Sequence, residues 1–512
     1  MVAVYPFQSD FSYLATLTGD SSWSPENMRK YFARMERKQY LLGLPKGHGR
    51  DGWFTTELAP LTIPLRDPQL LAVLTGSASA LGSVLRKVIN LGTLLAGDLN
   101  ADNILRDREP GYYQIPISTD KATRLGTREF IVSVRDARNK DGSKKYPLDV
   151  RLNCHVTKIL FEDTFNGPPR ATGVEFLDGA YLYRASPLSA GRQGTKGTVL
   201  ASREVIVSGG AYNSPQILKL SGIGPKDELK RHGIHVVADL PGVGTNLQDH
   251  YEISVNAKAR NEWRVLKDCT FLFNTTSDPC LDKWQRPVLG DRGTYATAGF
   301  AATMLYKSTT TPDRNWDMFN FGGPVNFQGY YPGYSYDATA EKDMWSWAIL
   351  KAHPRNTAGS ITLRSADPLD VPEIAYNYFD TGNGDYKADL QAIYESIQLA
   401  RDALYRQPVK FNEVRPGAEF NTQEKVEQYV KDSAWGHHAS STCPIGADGD
   451  PMAVLDSKFR VRKVKGLRVV DASVYPRIPG TFTAVSTMMA AEKAADDILA
   501  DAKRERRWRI WN

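Results

Sequence analysis

The sequence lacks the features that mark several protein classes. It has no run of roughly 18 apolar residues, so no segment is long and apolar enough to cross a membrane as a helix. Its first residues, MVAVYPFQSDFSYL, lack the basic start, the long apolar region and the small-residue cleavage site of a signal peptide. The GxSxG pentapeptide of many serine hydrolases is also absent. These absences leave a globular protein outside those classes as the expectation.

Cysteine is scarce, and its positions show neither CxxC spacing nor neighbouring histidines suited to zinc: Cys154, Cys269, Cys280 and Cys443. Cys269 and Cys280 could close a loop disulfide around the glycosylation sequon at Asn274, which would indicate secretion. His232 and His235 lack a nearby carboxylate set, so no metal site is predicted. Two cellular locations are therefore expected: the protein is secreted if an N-terminal leader is missing from this sequence, and cytoplasmic otherwise.

The charge balance excludes an obvious polyanion partner. The net charge is +6, and residues 503–509 of the basic tail supply four of these charges. No basic cluster is evident in the rest of the chain, so we expect neither nucleic acid nor a membrane as a partner. With 512 residues and an ordinary composition, 41% hydrophobic and 24% charged, the chain predicts two domains of α/β and α+β type.

The first third of the chain is predicted to form loops and helices that cover the domains formed by the rest of the chain. Ser24 and Pro25 are typical of a helix N-cap and first position before MRKYFARMERKQYL. The tract GLPKGHGRDGWF, residues 43–54, is predicted to be a loop. Residues 67–100 repeat apolar positions at helical spacing and predict one or two amphipathic helices.

The pattern then changes to strands. YPLDVRLNCHVTKILFE and RATGVEFLDGAYLYRA predict a strand pair, followed by a polar loop, SPLSAGRQGTKG. REVIVSGGAYNSPQILKLSGIGP predicts a buried parallel strand that ends in two glycines at a helix start. Within the aromatic-rich middle region, residues 355–379 predict a strand and a turn, and residues 385–407 predict a helix.

The order of these segments predicts one domain inserted into another, because the buried parallel-strand pattern resumes only at LRVVDAS. The predicted division begins with a covering, substrate-side segment (residues 1–144) and a first part of a cofactor domain (145–250). A substrate domain (251–432), a second part of the cofactor domain (433–505) and a basic tail (506–512) follow.

The C-terminal stretch is the strongest candidate for a cofactor site. It joins the paired histidines of WGHHASSTCPIG, an apolar strand ending near Asp471, a Pro/Gly-rich turn and a final helix. A histidine can exchange protons near neutral pH, which makes this stretch a candidate for acid–base chemistry.

Several motifs carry a family resemblance. GAYNSPQILKLSGIG, from Gly210 to Gly224, resembles the second signature of the glucose–methanol–choline (GMC) oxidoreductases. VGTNLQDH, SADPLDVPEIAYNYF, HHASSTCPIG, VVDASVYP and AEKAAD resemble the same family in the same order, closest to its fungal, often secreted branch. The resemblance implies FAD in a Rossmann-like domain, and oxidation of a small-molecule alcohol in an antiparallel-sheet domain, with oxygen or another electron acceptor.

One part of the family pattern is missing at the start. Members open with a strand, GxGxxG and a helix that hold the FAD pyrophosphate, and we expect this sequence to have no such motif. Without that central strand, buried backbone groups would go unpaired at about 1–3 kcal/mol each, against a domain stability of about 5–15 kcal/mol. We therefore expect an incomplete Rossmann-like domain that folds poorly alone. The alternative function is a truncated, non-catalytic relative that cannot hold FAD.

The resemblance also implies catalytic residues. His438 precedes Thr442 by four residues, as the family's catalytic histidine precedes its threonine, and would act as general base. His437 is expected to be a supporting residue on the opposite face of an extended segment. The second catalytic position falls on Phe482, whose ring cannot hydrogen-bond the alcohol. Other groups near it would then orient the alcohol: Arg477, Thr481 or Thr483.

Cofactor contacts are implied at four places. Asp471 and Ala472 match the residues near the ribityl and phosphate region, although Asp471 could equally be a strand-end cap. Thr483 and a helix from about Ala484 would aim a positive helix end at the flavin. The remaining matches are the adenine contact and the cofactor-lining turn: Val156, Gly209, Gly210 and Ala211.

Overall fold

The computed structural model describes residues 2–41, 46–82, 84–379 and 385–511, without the side chains of residues 84–86 and 506–511. Its helices, in chain order, are α1 Gln8–Thr18, α2 Pro25–Met35, α3 Thr62–Leu65, α4 Pro68–Ser77, α5 Val84–Ala96, α6 Leu105–Arg108, α7 Thr127–Asp136, α8 Gly210–Leu220, α9 Lys226–Arg231, α10 Pro279–Gln285, α11 Tyr334–Ala340, α12 Tyr386–Tyr405, α13 Gln423–Ser433 and α14 Thr483–Trp511.

The strands are short except around the central sheet. In chain order they are β1 Glu36–Lys38, β2 Phe54–Thr56, β3 Gly111–Tyr113, β4 Thr119–Asp120, β5 Thr123–Arg124, β6 Cys154–Thr164, β7 Gly167–Asp178, β8 Thr195–Leu200, β9 Val205–Val207, β10 Ile223–Gly224, β11 Ala238–Asp239, β12 Tyr251–Ala259, β13 Ala302–Tyr306, β14 Met318–Gly323, β15 Met344–Lys351, β16 Ser360–Thr362, β17 Glu373–Ala375, β18 Phe411–Arg415 and β19 Leu467–Val469.

The predicted helices form where their capping residues indicate. The Ser24 hydroxyl accepts a hydrogen bond from the Asn27 amide, and Pro25 is the first residue of α2, as predicted. Residues 67–100 form the two helices α4 and α5, except that residue 83 lies outside the described residues. The periodic segment 385–407 forms α12, whose apolar face is buried.

An antiparallel sheet forms the centre of the larger domain. Its order is β18-β12-β15-β14-β13-β3, so the antiparallel substrate sheet expected from the sequence is confirmed. Alternate residues of β14 face opposite ways: Asn320 reaches the Ser396 carbonyl of α12, whereas Phe319 and Phe321 contact Phe482 just before α14. The sheet therefore has one face against α12 and the other toward the start of α14.

The predicted parallel strand pairs with the C-terminal one. β9 and β19 are parallel, and each leads into a turn that faces the other, as the Rossmann-like expectation requires. β19 covers one edge of β9, no described strand pairs the other edge, and Ile206 at its centre is 44% exposed.

Two sequence interpretations need correction: the extent of the polar loop after β7 and the expected absence of a GxGxxG spacing. The polar loop 186–197 ends in strand structure, because residues 195–197 begin β8 and pair with β7. The tract 43–54, of which residues 43–45 lie outside the described residues, does contain a GxGxxG spacing from Gly47 to Gly52. It connects the parallel strands β1 and β2, and a Cβ at Gly49 or Gly52 would lie 2.0 Å from a carbonyl at the end of α2. These glycines allow close backbone packing and form no strand-to-helix phosphate cradle.

The predicted disulfide is present. Cys269 and Cys280 are bonded, with their Cα atoms 4.9 Å apart, and close a loop that carries the exposed Asn274. Among the described helices, none has the length and apolar character that crossing a membrane requires.

Candidate active site

The paired histidines lie on a segment that runs beside the start of β12. Trp435 and Glu252 exchange two backbone hydrogen bonds of 2.9 Å, and Ser440 and Gln248 exchange bonds of 2.9 and 3.2 Å. Between these two antiparallel bridges the histidine segment has one more residue than the strand it faces. Such an extra residue bends the chain and redirects its side chains, as in a β-bulge.

The bulge changes where His437 points. The rings of His437 and His438 lie side by side, with centroids 3.8 Å apart. Their Nδ1 atoms lie 3.2 and 3.4 Å from the same atom, Oε1 of Glu252. The expectation that His437 occupies the opposite face is therefore wrong, because it assumed a regular extended segment.

β12 completes a group that we call the His–Glu cluster: His250, Glu252, His437 and His438. Nδ1 of His250 lies 3.1 Å from Nδ1 of His438. The Asp249 carboxylate fixes both backbones, since its Oδ1 accepts hydrogen bonds of 2.8 Å from the amides of His250 and His438. Residues two apart on a strand share a face, which is why His250 and Glu252 both point toward the histidine segment.

Burial keeps the cluster neutral. It lowers the pKa of His438 well below the usual value for histidine, with added repulsion from His250 and His437. It also lowers the pKa of His437 to about 4 and raises the pKa of Glu252 well above the usual value for a carboxyl group. The pKa of Asp249 is raised to about 6, again mainly by burial. At neutral pH the histidines can therefore accept protons.

Glu252 is the most unusual member of the cluster. Its side chain is fully buried, and neither carboxyl oxygen has an aligned hydrogen bond in the described residues. Glu252, His437 and His438 also offer one ligand atom each within 4.8 Å of one another, a spacing that a metal ion could use. The sequence predicted no metal here, since Glu252 lies far from the histidines along the chain.

Phe482 closes one side of His438. Its ring lies 5.5 Å from that of His438, almost perpendicular to it, and 5.2 Å from that of Phe319. Phe482 supplies no polar group, as the sequence indicated. The adjacent Thr481 hydroxyl is buried and has no hydrogen-bond partner among the described residues.

Arg477 and Thr483 occupy the positions beside this turn. Nη2 of Arg477 lies 3.7 Å from Oδ1 of Asp10, and its guanidinium lies over the ring of Tyr13. This arginine is thus engaged with α1. Thr483 is the first residue of α14, so the final helix begins one residue earlier than predicted.

The Asp471 carboxylate joins the turn after β9 to the turn after β19. Its Oδ2 accepts hydrogen bonds from the Gly210 amide at 2.9 Å and the Ser214 hydroxyl at 2.5 Å. Its Oδ1 accepts from the Ser473 amide at 2.8 Å and the Ser473 hydroxyl at 2.5 Å. Asp471 therefore acts as a cap that holds the end of β19 against the start of α8.

The other implied cofactor residues surround this junction. The carbonyl of Ala211 accepts a hydrogen bond of 2.7 Å from the Thr442 hydroxyl, and that of Ala472 accepts one of 3.1 Å from the Ser441 amide. The Gly209 amide donates to the Ser214 hydroxyl at 2.9 Å. Val156 lies on β6, half-buried and opposite Phe176 of β7.

The residues present fit a flavin on two counts. Gly210 has a φ of +79° and open space where a Cβ would be, so its backbone can be approached closely. The unpaired Thr481 hydroxyl and the positive end of α14 lie on the His438 side, where they suit a polar group that carries negative charge.

Sequence reasoning missed the part of the site that lies on β12 and around α1. VGTNLQDH carries part of the family resemblance, but the sequence predicted no role for Asp249, His250 or Glu252. It also missed His353, whose Nε2 lies 2.8 Å from Oδ1 of Asp10 and accepts from the Gly480 amide at 3.2 Å. A glutamate at a core-facing position of a β-strand, two residues after a histidine, was the available signal.

A separate apolar cavity of about 410 Å³ lies away from the His–Glu cluster. Its walls include Leu70, Leu74, Val265, Phe271, Phe300 and Val325. Phe300 contacts Phe321, which contacts Phe482, so aromatic rings lie between this cavity and His438.

The sequence is similar to known protein families and relatives over most of its length. Two GMC oxidoreductase family models match residues 8–252 and 354–491. An oxygen-dependent choline dehydrogenase from Brucella suis is 32% identical over 506 residues, which is 98% of this chain and 79% of the relative. Another, from Staphylococcus epidermidis, is 29% identical over 502 residues, covering 96% of this chain and 76% of the relative.

Solved structures share the fold. A variant of formate oxidase from Aspergillus oryzae aligns with a TM-score of 0.77 at 20% identity, over 98% of this chain and 82% of that one. A fungal aryl-alcohol oxidase aligns with a TM-score of 0.70 at 20% identity, over 98% and 84%. The chain belongs to the GMC oxidoreductase family, as an FAD-dependent enzyme that oxidises alcohols.

Proposed function

We propose that this enzyme oxidises the CH–OH group of a small-molecule alcohol with His438 as the general base. One observation carries the proposal: Nδ1 of His438 faces His250, while its Nε2 has no hydrogen-bond partner among the described residues. His438 is 7% exposed, so that nitrogen is the part of the ring left for a substrate. A lone pair there can accept the hydroxyl proton.

The electrostatics of the cluster support this role. Because burial lowers the pKa of His438, its ring is unprotonated at neutral pH and ready to accept a proton. An alcohol is too weak an acid to ionise alone, so a base within hydrogen-bond reach must take the proton as the hydride leaves. A well-placed base contributes about 10²–10⁴-fold to the rate.

FAD, when bound, accepts the hydride from the alcohol carbon, and oxygen or another acceptor then takes the electrons. We assign its binding to the residues around the α8 and β19 turns and the start of α14: Val156, Gly209, Gly210, Ala211, Asp471, Ala472 and Thr483. Asp471 contributes by holding Gly210 in place, since its oxygens are already occupied by protein donors.

We further propose that Thr481 orients the alcohol in place of the missing polar residue at Phe482. Its buried hydroxyl lacks a partner, which costs free energy unless a ligand supplies one. Arg477 is already engaged with Asp10 and Tyr13, so it is the weaker candidate.

The decisive experiment measures flavin and its reduction. The purified protein is denatured and its supernatant is examined for released FAD, with uptake of added FAD measured in parallel. Flavin reduction is then followed without oxygen for a panel that includes choline, because the relatives are named as oxygen-dependent choline dehydrogenases, and uncharged alcohols. Failure to hold FAD would refute the catalytic proposal and favour the non-catalytic alternative.

Variants then test the base. His438→Ala should reduce the rate of flavin reduction at least tenfold while FAD stays bound, whereas the exposed His235→Ala serves as the matched control and should not. An unchanged rate in His438→Ala would remove His438 as the base.

We also propose that the protein passes through an oxidising compartment. The Cys269–Cys280 disulfide supports this, since such bonds persist mainly in secreted proteins, and the exposed sequon at Asn274 agrees with it. Titration of thiols in the denatured protein should find two of the four cysteines free; four free thiols would contradict the proposal.

A further inference from the structure

We propose that His250 is a positioning residue that sets the tautomer of His438. It accepts a hydrogen bond from Nδ1–H of His438 and thereby leaves the lone pair of that ring on Nε2, where the substrate hydroxyl is met. This inference rests on the proposed function, in which His438 is the base.

The contact between His250 and His438 is a hydrogen bond in which one of the two rings must be the donor. The Nδ1 atoms lie 3.1 Å apart, which is a hydrogen-bond distance. In a pair of neutral rings, one Nδ1 must carry the proton and the other the lone pair. If His250 donated, His438 would carry its proton on Nε2 and could not act as a base there.

The other side of His250 favours one direction of this hydrogen bond. The pairing of β12 with β15 ends at Tyr251 and Lys351, and His250 and Ala352 are the next residues of the two segments. Nε2 of His250 is buried without an aligned hydrogen bond among the described residues, and the backbone carbonyl of Ala352 is the neighbour that stabilises a proton on the ring. A proton on Nε2 of neutral His250 leaves Nδ1 as the acceptor.

The remaining neighbours agree with this assignment. Oε1 of Glu252 lies 3.2 Å from Nδ1 of His437 and 3.4 Å from that of His438, so His437 is the nearer neighbour of this carboxyl group. Phe482 faces His438 with a ring that has no acidic proton.

Charges around His250 further keep it neutral. Burial, His353, His437 and Lys351 all disfavour a positive charge on its ring. It can thus accept a hydrogen bond from His438 without taking up a proton itself. When the hydroxyl proton moves to Nε2 of His438, Nδ1 keeps its own proton, and bound FAD would supply the acceptor for the hydride.

Two variants of His250 separate positioning from packing. In His250→Asn the side-chain oxygen can occupy the place of Nδ1 and accept the same hydrogen bond, whereas His250→Met fills similar space with a side chain that is only a weak acceptor. Flavin reduction is measured against pH in the FAD-loaded enzyme, with flavin content and thermal unfolding as controls. We expect His250→Asn to stay within about threefold of the unmodified enzyme and His250→Met to fall at least tenfold.

A spectroscopic measurement on the unmodified enzyme does not depend on the folding of any variant. In protein labelled with ¹⁵N-histidine, the ring signals of His438 are identified by their loss in His438→Asn. We expect Nδ1 protonated and Nε2 unprotonated at neutral pH. Protonation of Nε2 instead, or an equal rate in His250→Met, would overturn the proposal. If His438→Ala retained full activity, the base assignment would fail separately.

Discussion

Removal of the Asp471 carboxylate tests whether this residue holds the cofactor domain together. Asp471 lies just after β19, and its two oxygens accept hydrogen bonds from Gly210, Ser214 and Ser473. In Asp471→Ala the two backbone amides, those of Gly210 and the buried Ser473, lose their partners. A buried donor left unpaired costs about 1–3 kcal/mol, and Gly210 is only half-buried, so we expect a loss of about 2–4 kcal/mol in the free energy of unfolding.

The assay is urea unfolding followed by tryptophan fluorescence, with Asp471→Asn as the matched variant. Asparagine keeps one acceptor oxygen and the shape of the side chain, so we expect it to lose about half as much stability as alanine. The loss should occur in FAD-free protein, because all the partners are protein groups. Unfolding midpoints that differ by less than the error of the measurement would refute this reasoning. A loss confined to FAD-loaded protein would instead make Asp471 a direct cofactor ligand.

Three further predictions concern stability. Lys219→Met should lower the free energy of unfolding by about 3–5 kcal/mol, because it leaves the buried Glu228 carboxylate without the ammonium group 2.7 Å away. The double variant Lys219→Met/Glu228→Gln should recover part of that loss in the same urea assay. Reduction of the Cys269–Cys280 bond should lower stability by about 2–4 kcal/mol, with Cys269→Ser/Cys280→Ser giving the same shift and insensitivity to reductant. The histidines of the His–Glu cluster should destabilise the protein as pH falls from 6.5 toward about 4. Burial lowers their pKa in the folded protein, so the unfolded chain binds more protons in that pH window. His437→Gln should therefore make the melting temperature fall less steeply with pH in a series of melting curves.

Local signals in the sequence predicted much of the fold. The Ser24 and Pro25 pair indicated the start of α2, and the periodicity of residues 385–407 indicated α12, because capping and amphipathic spacing depend on neighbouring residues only. That β9 and β19 are strands of a parallel sheet was also predicted from their apolar pattern, whereas their pairing with each other was not. The sequence did not predict that β8 begins inside the polar loop. Residues 195–197 form a strand because they pair with β7 at the edge of the sheet, not because of their composition.

The catalytic site was predicted only in part. The resemblance placed His438 and Phe482 at the site, and the structure brings their rings into contact. The regular alternation of an extended segment put His437 on the wrong face. One extra residue between two bridges turned it toward Glu252, and register between distant segments cannot be read from either segment alone.

The sequence by itself determined the family, the elements and the candidate base, because motifs and periodicity are properties of neighbouring residues. Only the tertiary structure decided what surrounds that base. His250 and Glu252 lie 188 and 186 residues before His438 and become its neighbours through the pairing of β12 with the histidine segment. Burial of that pairing then lowers the histidine pKa values and raises that of Glu252, since charge is costly where water is excluded.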